Sequence, residues 1–443
     1  MIRTSSPTTL ADALVTAREA ACLTQEDLAE RSGVSVRAIR NLETGHTSRP
    51  RMQSLLLIAK ALGLPPEEVG RLMRRPGAEK QQPPGLVPAE LPAASRHNLV
   101  GRRTHVDALR AHLSATEHGD TGRPAIVVGP PGAGKTSLIL EAAHGVRDRF
   151  PDGQVFVDLH PGASSTPLTP DEIVPRVLRS LGAGPTAGHP EEAAARLRDA
   201  LSRRRVLVVL DNADSEAQVR PLLVDGSRSA VLVAARRELP ALTAQFRRHI
   251  GVLGDGDALQ VLEDLLGPAR TGAERSAASL VLRFCGRLPL ALHIAGLWLS
   301  ARPHRSLRDL ADRLTNEQDR LRFLHIGDLS LEASVAACHS SLPAPVRGAL
   351  QRLRTVNGDF DADDMVTHVT PSRGLAADLL DELIDHQMVH AVGPTADGRL
   401  LYRLHDAVRQ YVAYGPVGSR HPDRVAGQIW LPRQAVDSGR KEA

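Results

Sequence analysis

The chain has 443 residues, with 55 Lys+Arg against 51 Asp+Glu for a formal net charge of +4, a length that suits roughly two to four domains with real cores. Hydrophobic residues at 42% and charged ones at 24% match an ordinary globular composition and exclude the disordered and fibrous classes. So small a basic excess permits nucleic-acid binding without arguing for it, and aromatics at 2% disfavour single-strand binding by base stacking.

In chain order, the start MIRTSSPTTL lacks the apolar core of a signal peptide. Residues 9–75 read as short amphipathic helices. Leu10, Leu14, Ala17 and Ala21 share one helical face. Thr24-Gln25-Glu26-Asp27 has the form of a capping box opening a second helix with Leu28 and Ala29 inward. Ser32-Gly33-Val34 makes a turn, and Ser35 is a natural N-cap for a third helix. On that helix Ile39 and Leu42 lie together, while Arg37, Arg40 and Asn41 cluster on the opposite side. Two guanidinium forks and an amide on an exposed helix are what major-groove reading needs, since Arg pairs bidentately with guanine and Asn with adenine. LTQEDLAERSGVSVRAIRNLETG, followed by HTSRPR and LLLIAKALGL, resembles the phage-repressor and Cro-like (XRE-type) helix-turn-helix family. The resemblance implies Val36, Arg37 and Asn41 near base edges, beside Ser35 and Arg40, and Gln25, Thr47 and Arg51 near phosphates of double-stranded DNA.

Next comes RRPGAEKQQPPGLVPAELPAASRHN, proline-rich and without apolar periodicity, which reads as a semi-stiff linker over 76–98. From Leu99 the pattern becomes apolar strands alternating with amphipathic helices: AIVVG at 125–129, QVFVDL at 154–159, RVLVVLDN at 205–212 and AVLVAARR at 230–237. Such alternation implies βαβ units and a parallel sheet covered on both faces. Gly129-Pro-Pro-Gly132-Ala-Gly134-Lys135-Thr136 fits G-x-x-x-x-G-K-[ST], placed after a strand and before the helical run TSLILEAA. Glycines there let backbone N–H groups turn towards phosphate oxygens, and the helix N-terminus adds its dipole. Lysine occurs only at Lys60, Lys80, Lys135 and Lys441, so one of four is the one a phosphate-binding loop requires. Lys135 is placed to reach the β- and γ-phosphates, and Thr136 and Asp211, at the end of VLVVLD, to hold Mg²⁺. Asn212 follows, where vigorous ATPases often carry a glutamate, and an amide cannot act as a base. Slow turnover is expected, with the nucleotide working by being held.

After about residue 255 the pattern is nearly all helical to about 413, including the apolar stretch Leu288–Leu299, which is too short to span a bilayer and contains His293. Cys22, Cys285 and Cys338 are far apart and odd in number, offering neither a disulfide framework nor a zinc site and suiting a reducing, cytoplasmic compartment. Val100-Gly101-Arg102, the phosphate loop, LVVLDNA, VLVAARR, CGRLPLAL and Leu404-His405-Asp406 occur in the order found in the NB-ARC class of STAND signalling NTPases, which this chain resembles over about residues 99–413. That class includes plant resistance proteins, apoptotic scaffolds and actinobacterial antibiotic-regulator-type transcription factors. The resemblance implies that Val100 and Arg102 border adenine and ribose, Arg236 senses the γ-phosphate, Pro289 packs on adenine, and His405 donates to the β-phosphate of ADP.

The expected architecture is therefore multidomain: an all-α helix-turn-helix domain (1–75), the linker, then an α/β P-loop NTPase with a parallel sheet (99–253), a helical subdomain (254–328), a winged-helix domain (329–414) and a tail (415–443). The expected function is an ADP/ATP-switched, DNA-binding transcriptional regulator with no membrane partner. ADP would hold it closed; exchange for ATP would permit self-association on repeated half-sites. It is read as a switch rather than an enzyme, with slow hydrolysis allowed. The alternative is a STAND-type signalling or defence NTPase whose helix-turn-helix serves autoregulation or protein contact. Arg103 stands where the family usually has an acid, and Ala234-Ala235 where hydroxyl residues are usual before Arg236. Relatives of this architecture usually continue into sensor repeats, so the expectation is either a separate sensor protein or a truncated relative.

Overall fold

The computed structural model describes residues 10–21, 23–32, 34–44, 58, 61–62, 87–93, 99–115, 124–160, 166–183, 189–244, 246–356 and 358–415. Thr47, Arg51, the tail from 416 and most of the expected linker lie outside the described residues, as do the side chains of Arg37 and Asn41. The chain divides into two compact units, 1–85 and 86–443.

In the first unit, α1 (Leu10–Ala20), α2 (Gln25–Ser32) and α3 (Val36–Glu43) pack around Leu14, Leu23, Leu28, Val34, Ile39, Leu42 and Ile58. The α2 start follows from Thr24: its Oγ1 accepts from Asp27 N at 3.0 Å while its own N donates to Asp27 Oδ2 at 2.9 Å. Two orphan amides are satisfied reciprocally at the helix end.

The second unit begins with residues 87–93 and α4 (Arg103–Ala115), followed by β1 (Ala125–Val128), α5 (Lys135–Val146), β2 (Gln154–Asp158), α6 (Pro170–Ser180) and α7 (Pro190–Ser202). Then come β3 (Leu207–Ala213), α8 (Glu216–Val219), β4 (Ala230–Ala235) and β5 (Phe246–His249). The strands form one parallel sheet in the order β2-β3-β4-β1-β5. Its central strands are buried except at Asn212 of β3, because helices cover both faces. Side chains alternate between those faces: Leu207 and Val209 join the α4–α5 layer, whereas Val206, Val208 and Leu210 join the α6–α7 layer.

Two features depart from the sequence reading. Residues 87–91, read as linker, lie along β2: Gln154 N donates to Pro88 O at 2.7 Å and Glu90 N to Gln154 O at 3.0 Å. They cover an otherwise open sheet edge. At the opposite edge, β5 was not anticipated, because Phe-Arg-Arg-His carries no apolar run; its residues are half-buried or exposed.

The helical remainder comprises α9 (Asp255–Leu266), α10 (Pro268–Ala273), α11 (Arg275–Phe284), α12 (Pro289–Ser300), α13 (Leu307–Thr315) and α14 (Glu317–Phe323). A small hairpin, β6 (His325–Ile326) and β7 (Leu329–Ser330), leads into α15 (Leu331–Ser340). The boundary expected at 328/329 falls inside this hairpin. Beyond it stand α16 (Ala344–Leu353), α17 (Ala362–His368), α18 (Arg373–Asp385), the antiparallel pair β8 (Val389–Pro394) and β9 (Leu400–Leu404), and α19 (Asp406–Tyr414). Three helices, a short bridge from Phe360 to Tyr402 and a two-stranded wing make the winged-helix arrangement. One continuous apolar core runs from Leu253 to Val412 through all of these helices except α10.

Candidate nucleotide site and DNA-reading face

The phosphate loop bridges β1 and α5. Gly132 and Gly134 adopt φ of +78° and +89°, left-handed values that a side chain disfavours and that curl the loop around its own interior. Lys135 Nζ lies back along the loop, donating to Gly129 O at 2.7 Å and Pro130 O at 3.1 Å. Burial pulls this ammonium below its ordinary pKa, which favours an anionic partner for it. Thr136 Oγ1 lies 3.0 and 2.8 Å from the two carboxylate oxygens of Asp211. Hence the two residues expected to hold Mg²⁺ meet directly across the end of β3. Burial pushes Asp211 up to about 6, with the neighbouring Asp158 charge adding to the rise. A divalent cation would restore its anionic form.

Past Asp211, Asn212 takes φ +60°. Its amide bridges two strands: Nδ2 donates to Asp158 Oδ1 at 2.9 Å, and Oδ1 accepts from Arg236 Nε at 3.2 Å. Arg236, only 9% exposed, also meets His160 Nδ1 at 3.0 Å and Asp214 Oδ2 at 3.8 Å. It therefore belongs to a polar network at the tips of β2, β3 and β4. Asn212, not Arg236, reaches the cavity beside the phosphate loop.

That cavity measures about 460 Å³, within the usual range for small-molecule sites. Leu99, Val100 and Arg102 form one wall, Gly132 to Ser137 the floor, Pro289, Leu290 and His293 of α12 another wall, and Leu329 and Ser334 the closing side. Arg102 spans the loop, with Nη2 donating to the Ala133 and Gly251 carbonyls, and its buried Nε has no protein partner. Pro289 starts α12 at its first position and stands against the Gly134 turn. His405, immediately before α19, stacks on His390 at 4.5 Å. Burial drives His405 down to about 3, with His390 and Lys135 contributing. His405 does not line the cavity but lies within electrostatic reach of its lysine.

The buried ammonium, the Thr136–Asp211 pair and the unpartnered Arg102 Nε fit a nucleotide phosphate chain with its metal. Sequence reasoning missed Asp158, His160, Asp214, His293 and Ser334. His293 had a readable signal, one helical turn beyond Pro289; the others depend on strand neighbours and domain closure.

On the first unit, Gln25 starts α2, Ser35 and Val36 stand at the start of α3, and Arg40 lies in the last turn of α3. Gln25 Oε1 accepts from Arg40 Nε at 3.3 Å, joining two of the expected DNA contacts. Glu43, the acid of α3, is consumed: it takes Arg18 Nε at 2.7 Å and Gln25 Nε2 at 2.7 Å.

These geometries agree with the comparisons to known proteins. Residues 14–69 match a helix-turn-helix family and residues 118–239 a family described as an AAA domain. The chain thus joins an XRE-type helix-turn-helix domain to a P-loop NTPase domain. It is homologous to AfsR-type regulatory proteins: 36% identical over 329 residues to regulatory protein AfsR of Streptomyces griseus, and 37% over 333 residues to that of Streptomyces coelicolor. Each match covers 74% of this chain and 33% of the relative, so the chain spans a third of their length. Disease resistance protein RML1B of Arabidopsis thaliana is 26% identical over 262 residues, 54% of this chain and 25% of that protein. Among solved structures, a Walker-type ATPase of Pyrococcus abyssi superposes with a TM-score of 0.49 at 11% identity, over 72% of this chain and 97% of that one. Among the described residues no helix is long and apolar enough to cross a membrane.

Proposed function

We propose that the protein is a cytoplasmic, DNA-binding transcriptional regulator whose state is set by ADP or ATP. One observation carries this reading: a single cavity is walled by the phosphate loop, by α12 and by the β7–α15 segment. A ligand held there interacts with three parts of the chain at once, so its identity biases their packing. The described arrangement, with the cavity closed on all these sides, is assigned to the ADP-bound form. The proposed division is 1–75 for DNA, 76–98 as connection, 99–253 for nucleotide, 254–328 as helical clamp and 329–414 as winged-helix lid.

In this reading the amides of the phosphate loop and Lys135 hold the phosphates, Val100, Arg102 and Pro289 border the base and ribose, and Thr136 with Asp211 takes Mg²⁺. Bound Mg²⁺ would neutralise phosphate charge. His405 and Arg236 are proposed to report on the β- and γ-phosphates, and Arg236 must leave part of its network to do so. Gln25, Ser35, Val36, Arg37, Arg40, Asn41, Thr47 and Arg51 are proposed to face DNA. Self-association with ATP would raise DNA affinity through effective concentration alone. Moving the closed form from dominant to rare requires about 5.5 kcal/mol of differential nucleotide affinity.

Denaturing the purified protein should release ADP, read by chromatography of the extract. Lys135→Ala should remove nucleotide and ATP-dependent assembly while single-site DNA binding survives. Retention of nucleotide by that variant would overturn the site assignment.

A further inference from the structure

The switch reading leaves open what returns the ATP form to ADP, because the Asn212 amide cannot act as a base. We propose that Asp158, on the neighbouring strand, is the carboxylate that orients and deprotonates the attacking water. The inference rests on the nucleotide reading above and names a residue for the slow hydrolysis it allows.

The placement is geometric. Asp158 ends β2 and pairs in parallel register with Asp211, two residues before the end of β3. Adjacent strands lie about 4.8 Å apart, and residues in register point to the same side. The cores show which side: Phe156 of β2 joins Leu207 and Val209 of β3 in the layer that contains α5, while Val155 and Val157 face the opposite layer. Asp158 and Asp211 therefore both face the helix that carries Thr136. They stand together at the carboxyl edge of a parallel sheet, where open α/β sheets bind ligands.

Asp158 is also aimed. Its Oδ1 accepts from the backbone N of His160 at 3.0 Å and from Asn212 Nδ2 at 2.9 Å. Asn212 lines the cavity, so the carboxylate is one hydrogen bond from it. The same amide accepts from Arg236, which ties the proposed γ-phosphate sensor to the proposed base through one side chain. Asn212 holds its left-handed backbone while making both bonds, a conformation that Asn adopts more readily than most residues. Its chemistry is that of a spacer and orienter; the carboxylate comes from next door.

In the step itself, the water oxygen bonds to the γ-phosphorus as the bond to the β,γ-bridging oxygen breaks, and that electron pair leaves with ADP. The water proton passes to Asp158, which releases it to the departing phosphate or solvent. Positioned general bases contribute about 10²–10⁴-fold, so removing one should slow turnover by at least the lower figure.

The test uses the full chain and the variants Asp158→Asn and Asp158→Glu, with three readouts: nucleotide affinity by titration, identity of the co-purified nucleotide, and single-turnover hydrolysis. Asp158→Asn is expected to bind ADP and ATP as the parent does and to hydrolyse about 10²-fold more slowly. It should also be purified with ATP in place of ADP. Asp158→Glu should recover part of the rate. Parent-like hydrolysis by Asp158→Asn overturns the proposal, and so does loss of nucleotide affinity, which would make Asp158 a structural residue. A parent protein that binds nucleotide yet never hydrolyses it also overturns it while leaving the switch intact. Absence of nucleotide binding by the parent refutes the underlying reading instead.

Discussion

The protein contains two helix-turn-helix-type arrangements with opposite surfaces. In the first unit, α3 presents Arg40, exposed and held by Gln25, while its acid Glu43 is drawn inward by Arg18 and is 4% exposed. In the second unit, α18 occupies the place of a recognition helix in the winged fold, yet its sequence RGLAADLLDELID carries four acids and one arginine. That arginine, Arg373, is paired to Asp363 at 3.0 Å. Asp378 and Asp381 are exposed. DNA presents one negative charge per ~1.7 Å of helix axis, so α3 suits phosphate approach and α18 opposes it. A shared topology does not share a ligand; the placement of a few charges decides.

The largest effects that test this contrast come from the cores beneath the two helices. Ile39 is 1% exposed under α3 and Leu383 is fully buried under α18. Truncating either to Ala should cost about 2–5 kcal/mol, read by urea denaturation. Ile39→Ala is expected to abolish DNA binding, because the first unit rests on a small core. Leu383→Ala should lower the stability of the second unit and leave binding to a single half-site intact. Loss of single-site binding in both variants would break the contrast.

Acid should separate the units next. His405 is held down to about 3 by burial with His390 and Lys135, and His386 to about 4 by burial and Arg237. Both fold neutral, whereas an unfolded histidine takes a proton below about 6.5. Their contribution to stability is therefore complete above about 6.5 and is lost as pH falls towards 4 and 3. The slope is up to about 1.4 kcal/mol per pH unit for a well-buried group such as His386, 5% exposed. Between pH 7 and 5 the tryptophan fluorescence transition of a Trp430→Phe chain, which reports Trp298, should move to lower urea. Single-site DNA binding should change less over the same interval, since the first unit has one histidine, His46, against the depressed pair in the second. A parallel fall in both signals would remove the distinction.

The legible parts of the molecule were those with local chemistry. The phosphate loop declared itself by spacing and flanking elements, four of the five strands by buried apolar runs, and the α2 start by Thr24 and Asp27. What stayed hidden was non-local. The strand β5 is half-covered and polar, so no run marked it. Asp158 pairs with Asp211 only through strand order, and Ser334 reaches the cavity only through closure of the winged part. The sequence suggests Arg236 as a γ-phosphate sensor but does not show the partners that its burial requires, which Asn212, His160 and Asp214 supply.

The smallest effects sharpen the contrast most, because they touch charge without touching the fold. Arg40→Ala removes one cation from an exposed position. If it faces a phosphate, the plot of log affinity against log salt should lose about 0.9 of slope, with weakening on all sequences alike. Gln25→Ala should weaken binding less, because Arg40 keeps its charge and loses only its 3.3 Å tether. Asp381→Ala, at an exposed site of α18, should change neither affinity nor slope. Were it instead to strengthen binding and steepen the slope, α18 would have to lie near phosphates. The acidic helix would then restrain DNA binding through repulsion, where the present reading leaves it uninvolved.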